Sequence, residues 1–312
     1  MVKEGGVIDI CEVAPRDGLQ SEPRLWSIDE RVQFIDRLSA TGVSRIEAAS
    51  FVHPKRVPQM ADATELYSRL PLDKGVTFEA LVPNEKGYER AVAAGAKTIA
   101  LVLASTEEMN QKNIGMSLAR ATEVNIAVIK RAINEGIKPR SYISTAVGCP
   151  FEGDVAPEVV FDLAACMFEA GAAEVAVADT IGSGDPAQVK FIFETLANRY
   201  GAERLAGHFH DTRGLALANT WAALECGVRK FDTAIGGLGG CPFAPGATGN
   251  VATEDVVHML ERSGFETAID MEGLRKAVAV AEKYTELKLG GRVLTWIESQ
   301  ERRRQAKAVA AA

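Results

Sequence analysis

No stretch of the 312 residues is long and apolar enough to cross a bilayer: runs such as TIALVLA over 98–104 fall far short of the ~18–20 residues a spanning helix needs. The start of the chain, MVKEGGVIDICEVA, has neither a signal-peptide apolar core nor an Arg-rich presequence, so a cytoplasmic protein is expected. Cysteine is sparse, at 11, 149, 166, 226 and 241, and no two form a C-x-x-C pair, which argues against a disulfide framework and a cysteine zinc site. Positive charge is in deficit: 35 Lys and Arg against 42 Asp and Glu leave −7, so no general attraction to nucleic acid or anionic membrane is expected. Any phosphate-bearing ligand needs a local basic patch. What is present, 47% apolar and 25% charged residues, suits a soluble globular chain with a sizeable core.

A repeated unit organises the chain. Glycines 42, 95, 136, 171, 201 and 227 each follow a helical pattern and precede an apolar, β-rich run, as in TGVSRIEAAS and AGAAEVAVADT. Each suits the left-handed residue that ends a helix before the chain turns into a strand. With VIDICEV and VTFEALV added, eight strands are predicted near residues 7, 45, 77, 98, 140, 174, 204 and 230. Regular alternation and an even strand count favour an α/β fold of the TIM (β/α)8 barrel type. The rival, a doubly wound sheet, would carry a Gly-rich phosphate turn after the first strand, where this chain has APRDGLQSE. No Ser/Gly/Pro linker divides the sequence. Residues 1–298 are expected to form a single barrel domain with extra C-terminal helices, and 299–312 a charged, frayed tail.

Barrels of this type carry their reactive groups where strands end at the carboxyl face. The seventh strand ends in GHFHD; strand side chains alternate, so His208 and His210 share one face. They serve either as paired metal ligands or as hydrogen-bonded residues lining the mouth. The first strand ends in a turn bracketed by Pro15 and Gly18 that presents Arg16 and Asp17 toward the same mouth. Asp17 with the histidines makes a two-His, one-carboxylate set, suited to Mg²⁺ or Mn²⁺ with oxygen co-ligands and to Zn²⁺ or Fe²⁺ otherwise; the alternative for Arg16 and Asp17 is a surface ion pair. Glu12, Glu47 and Asp179 are charges inside apolar strand runs, costly unless they face a polar mouth or an ionic partner. After the eighth strand, GGLGGCPFAPGATGN has no G-K-S/T and so is no P-loop. It reads as a closing lid carrying Cys241 and ending at Asn250, or as a flexible loop with an incidental thiol.

Together, EVAPRDGLQSE, IEAASFVHPKRVPQMAD, VGCPFEG, ADTIGSGDP, HFHDTRGLALANT and GGLGGCPFAPGATGNVATEDVV resemble the 3-hydroxy-3-methylglutaryl-CoA lyase family, relatives of isopropylmalate and homocitrate synthases, over nearly all the chain up to about residue 260. The Gly-rich segment with its cysteine is the most specific part. The resemblance implies a TIM barrel, a divalent cation (Mg²⁺ or Mn²⁺), an acyl-CoA substrate, a homodimer or larger assembly, and retro-Claisen cleavage of a 3-hydroxyacyl-CoA to acetyl-CoA and a keto product. It implies Asp17, His208, His210 and Asn250 as metal ligands, Arg16 as the substrate-binding, enolate-stabilising cation and Cys241 as the lid cysteine. Glu47 and Asp179 match acidic positions near the metal, and Gln20 a polar neighbour of the substrate. Proton removal falls to Asp17 or a bound water, and proton return to Cys241 or His208, with Cys241 favoured.

Departures from the family pattern bear on the acyl group: Arg213 stands after HDT where an aromatic is common, Thr106 and Met109 replace Ser and an aromatic, and Pro23 stands where a Lys often lies. Lys55, Arg56 and Lys112 are candidates for the coenzyme A phosphates. The alternatives are a lyase for another branched 3-hydroxyacyl-CoA, a Claisen-condensing synthase, and a catalytically silent barrel.

Overall fold

The computed structural model describes residues 5–240 and 249–310, and in it each predicted strand forms. The strands are β1 (Asp9–Glu12), β2 (Arg45–Ser50), β3 (Thr77–Leu81), β4 (Thr98–Ala104), β5 (Lys138–Ser144), β6 (Glu174–Asp179), β7 (Leu205–Phe209) and β8 (Lys230–Thr233). All pair in parallel with their neighbours in sequence, and β1 closes the ring on β8 through Asp9↔Lys230 to Glu12↔Thr233. The six repeat glycines all take positive φ, between 72° and 104°. This is a closed eight-stranded barrel wrapped by helices, as the alternation predicts.

Local chemistry sets the helix ends. Helix α1 (Ile28–Ser39) starts with a reciprocal cap: Ser27 Oγ accepts from Glu30 N at 3.3 Å, and Glu30 Oε2 accepts from Ser27 N at 2.8 Å. Its Phe34, Ile35 and Leu38 fall on one face and are buried. The main apolar core lies between such faces and the outward residues of the strands, among them Ile46, Ile99, Val175 and Phe231. Inside the ring, a much smaller cluster holds Leu81, Ala100, Tyr142, Ala176 and Ala206.

The rest of the interior is ionic. Arg45, Glu174 and Lys230 are the first residues of their strands, so this cluster sits toward the amino-terminal end of the barrel. Arg45 Nε donates to Glu79 at 2.7 Å, Arg45 Nη2 to Glu174 at 2.9 Å, and Lys230 Nζ lies 3.0 Å from Glu174. Arg140 reaches Glu79 at 3.3 Å, Glu174 at 2.6 Å and Asp232 at 2.6 Å. Charges this deep are tolerated because each has an opposite partner.

The C-terminal region is helical. Helix α2 (Thr253–Arg262) is followed by α3 (Met271–Thr285), which packs on α1 with Trp26 and Tyr284 in edge contact at 5.1 Å. Residues 299–310 of the segment expected to fray continue helix α4 (Arg292–Ala310), most of their described side chains exposed. Asp255 starts that helix by accepting from the amides of Arg292 and Val293 at 3.0 and 2.8 Å. The Glu, Arg, Gln, Lys and Ala that follow are strong helix formers and propagate it. Among the described residues no helix is long and apolar enough to cross a membrane.

Candidate active site

The carboxyl ends of β1, β2, β7 and β8 meet at one mouth. After β1, residues Ala14–Gly18 form one wide π-type turn in which the amides of Arg16, Asp17 and Gly18 converge on the Val13 carbonyl at 3.1, 2.8 and 3.2 Å. This turn aims Arg16 and Asp17 inward. Arg16 is only 6% exposed, so the surface ion pair is excluded. Its guanidinium donates from Nε to Glu47 Oε2 at 2.6 Å, with Nη2 at 2.5 Å from the same oxygen, and from Nη1 to Asp17. Glu47 Oε1 is buried without a hydrogen-bond partner among the described residues.

His208 and His210 both face the interior, as period-two alternation predicts, with ring centroids 5.3 Å apart. One ligand atom each from Asp17, His208 and His210 lie within 4.8 Å of one another. Asp17 Oδ2 is 3.8 Å from His210 Nε2 and accepts from Asn250 Nδ2 at 2.8 Å. Asn250 is placed by an antiparallel bridge to His210 and by Val251 N donating to Phe209 O at 2.9 Å. Its Oδ1 is buried and without a partner among the described residues, as is His210 Nδ1. A carboxylate, two imidazoles and a spare amide oxygen on one buried spot fit a divalent cation.

The electrostatics favour the ligand forms. Burial alone would raise the Asp17 pKa, but Arg16, the two imidazoles and the Asn250 hydrogen bond together bring it down to about 2. Burial, helped by His208 and Arg16 against the pull of Asp17, lowers His210 to about 4, which keeps its imidazole neutral. Burial pushes Glu47 up to about 7 against Arg16 and Arg140, with Glu79 and Asp232 adding to the rise.

Other expectations divide. Asp179 is occupied elsewhere: its two oxygens accept from the amides of Ser183 and Gly184, each at 2.9 Å, which braces the loop after β6. Glu12 likewise ties segments together, accepting from Ala14 N, Ile235 N and Thr253 Oγ1 at 3.0, 3.0 and 2.6 Å. Gln20 is half-buried just beyond the π-turn. Cys241 lies outside the described residues. Of the departures from the family pattern, Met109 is buried in the core, Thr106 donates to Cys149 Sγ at 3.1 Å, and Pro23 is exposed. Arg213 stands on the loop after β7, exposed, its Nη1 donating to the carbonyls of Ile181 and Gly182 at 3.0 Å each. Lys55, Arg56 and Lys112 are exposed; Lys112 pairs with Glu108 at 3.1 Å.

The flanks of the Gly-rich segment have a packing reason for glycine. Gly239 has φ 115°, and a Cβ there would stand 2.6 Å from Asn250 Nδ2; a Cβ on Gly249 would stand 1.8 Å from the Gly237 carbonyl oxygen. Three interior residues escape the sequence reading: Tyr142, whose ring meets His208 edge-on at 5.6 Å, and Arg140 and Asp232 beneath it. The signal that singled out Glu47, a charge inside an apolar strand run, is weak in KPRSYIS and KFDT, where polar residues outnumber apolar ones.

A family model described as HMGL-like matches residues 7–280. The chain belongs to the HMGL-like family. Among its HMGL-like relatives, hydroxymethylglutaryl-CoA lyase of Pseudomonas mevalonii is 45% identical over 86% of this chain and 89% of the relative. The 3-hydroxy-3-isohexenylglutaryl-CoA/hydroxymethylglutaryl-CoA lyase of Pseudomonas aeruginosa is 43% identical over the same shares. The solved structure of an HMG-CoA lyase from Acinetobacter baumannii in complex with coenzyme A and 3-methylmalate superposes with a TM-score of 0.89 at 38% identity, covering 93% of this chain and 94% of that one.

Proposed function

We propose that this chain cleaves 3-hydroxy-3-methylglutaryl-CoA to acetyl-CoA and acetoacetate by a retro-Claisen reaction, using Mg²⁺ or Mn²⁺ held by Asp17, His208, His210 and Asn250. The observation that carries the reading is the junction of those four side chains with Arg16, whose guanidinium is in contact with Asp17 itself. A divalent cation bound there supplies Lewis acidity to an alcohol oxygen.

The chain's own residues do the rest. Glu47 takes the Nε edge of Arg16 and Asp17 takes Nη1, which fixes the guanidinium in one plane and leaves an N–H on each terminal nitrogen for the substrate. Those donors meet the negative charge that moves onto the thioester oxygen as the carbon–carbon bond breaks. Asp17, an anion down to about pH 2, is a weak base and serves as a ligand, so a bound water takes the proton of the substrate hydroxyl. Cys241 protonates the departing acetyl-CoA carbanion, and Cys241→Ser depresses turnover by orders of magnitude while metal still binds. Arg56 and Lys112 offer cations to the coenzyme A phosphates, and the active form is a homodimer or larger. A longer branched acyl group is the second reading, favoured by the substrate named for the Pseudomonas aeruginosa relative and by Arg213 on the loop after β7.

The test is a panel of 3-hydroxyacyl-CoA thioesters assayed for acetyl-CoA release after chelation, with Mg²⁺ and Mn²⁺ restored separately. Acetyl-CoA from 3-hydroxy-3-methylglutaryl-CoA, lost on chelation and regained with metal, is expected. Full activity in chelated protein rules out the metal, and thiol release from acetyl-CoA plus keto acids points to the condensing direction.

A further inference from the structure

We propose that Asp232 is a positioning residue for metal binding, holding the proton of His208 on Nδ1 so that Nε2 presents its lone pair to the cation. This rests on the metal site proposed above and adds to it a residue outside the four ligands. The parallel register of β7 and β8 sets Asp232 directly beside His208, and both are buried. His208 Nδ1 lies 3.2 Å from Asp232 Oδ2. An ionised carboxylate can only accept, so the nitrogen facing it must donate; the free nitrogen is then Nε2.

Two further contacts keep this arrangement in place. Asp232 Oδ1 accepts from Arg140 Nη2 at 2.6 Å, which keeps the carboxylate ionised and turned so that Oδ2 faces the imidazole. Arg140 Nη1 also donates to the Tyr142 hydroxyl at 2.9 Å, and the Tyr142 ring abuts His208 at an interplanar angle of 85°. The imidazole is therefore braced on one edge by Asp232 and on one side by Tyr142. His210 has no such brace: its Nδ1 lacks a hydrogen-bond partner among the described residues. The rival account makes Asp232 only a counterion for Arg140, in which case its removal would leave the His208 proton and the affinity for metal where they are.

Two measurements decide between these accounts. In the full chain, Mn²⁺ binding followed by electron paramagnetic resonance should weaken ~10- to 100-fold in Asp232→Asn, the usual effect of losing an outer partner of a ligating histidine. An affinity within about threefold of wild type in the folded variant overturns the proposal. Should that variant fail to fold, ¹⁵N spectra of the metal-free wild-type histidines, only four in all, read the tautomer directly at mildly alkaline pH. A proton on Nδ1 of His208 is expected, and a proton on Nε2 overturns it. Wild-type protein that binds no Mn²⁺ would remove the metal reading itself, whereas normal wild-type binding with unchanged Asp232→Asn binding removes only the role of Asp232.

Discussion

At the amino-terminal end of the barrel, Arg45 and Arg140 are met on all sides by Glu79, Glu174 and Asp232, whereas at the mouth Glu47, His210 and Asn250 each keep a buried polar atom without a hydrogen-bond partner among the described residues. Both clusters bury charge in the same ring. In the first, every charge has an opposite charge within the chain, and even Arg140 Nε, which makes no hydrogen bond, lies 2.6 Å from Glu174. The second carries unused acceptors that desolvation makes costly unless a ligand engages them, and this marks it as the working end. Asp232 belongs to both, with one oxygen on Arg140 and the other facing His208.

Substitutions that attack one end at a time test the contrast. Arg140→Met removes the only guanidinium on Asp232 and a shared one from Glu79 and Glu174, which keep Arg45, and should lower unfolding stability by about 3–5 kcal/mol, read from urea midpoints; an unchanged midpoint would mean that the inner cluster is not holding the ring. Arg16→Gln should instead spare most of the stability and lower kcat ~10²- to 10³-fold, the effect of losing a donor to developing negative charge. The reverse order of sensitivities would merge the two regions into one. Smaller effects are expected from pH. Burial opposes ionisation of Glu174, but Arg140, Arg45 and Lys230 outweigh it and bring its pKa down to about 2. Its stabilising contribution is therefore present above the ordinary 4.5 and lost as pH falls through about 2. Glu47, raised to about 7, behaves oppositely: its contribution is fullest below 4.5 and is lost as pH rises through about 7. Urea midpoints of wild type, Glu174→Gln and Glu47→Gln between pH 3 and 8 should diverge in those two separate windows.

Much of this was readable from residue order alone. Strand positions followed from a glycine ahead of each apolar run, and the shared face of His208 and His210 followed from alternation. Asp17 emerged from the Pro15–Gly18 turn at the end of the first strand, and Asn250, at the end of the Gly-rich segment, as a ligand only through the family resemblance. What sequence could not supply was pairing across the ring. Glu12 and Asp179 look alike in sequence to Glu47, yet the structure engages both with backbone amides and leaves only Glu47 on the guanidinium. Which carboxylate faces which neighbour depends on register between strands, and Asp232 was invisible as a partner of His208 until that register was known. The start of the terminal helix was illegible for a different reason: it depends on Asp255, a residue 37 positions away from the Arg292 amide it holds.

The closure of β1 on β8 has a temporal consequence. Asp17 and Asn250 are 233 residues apart, so the four donors become neighbours only when the last staves of the ring are set against the first. A chain still emerging from the ribosome with seven strands in hand holds the imidazole pair but not the complete nest of donors. On the metal reading proposed above, an ion captured there would reward only the finished topology, its mass action pulling the closing step forward. Assembly of the ring and assembly of the site are thereby a single event.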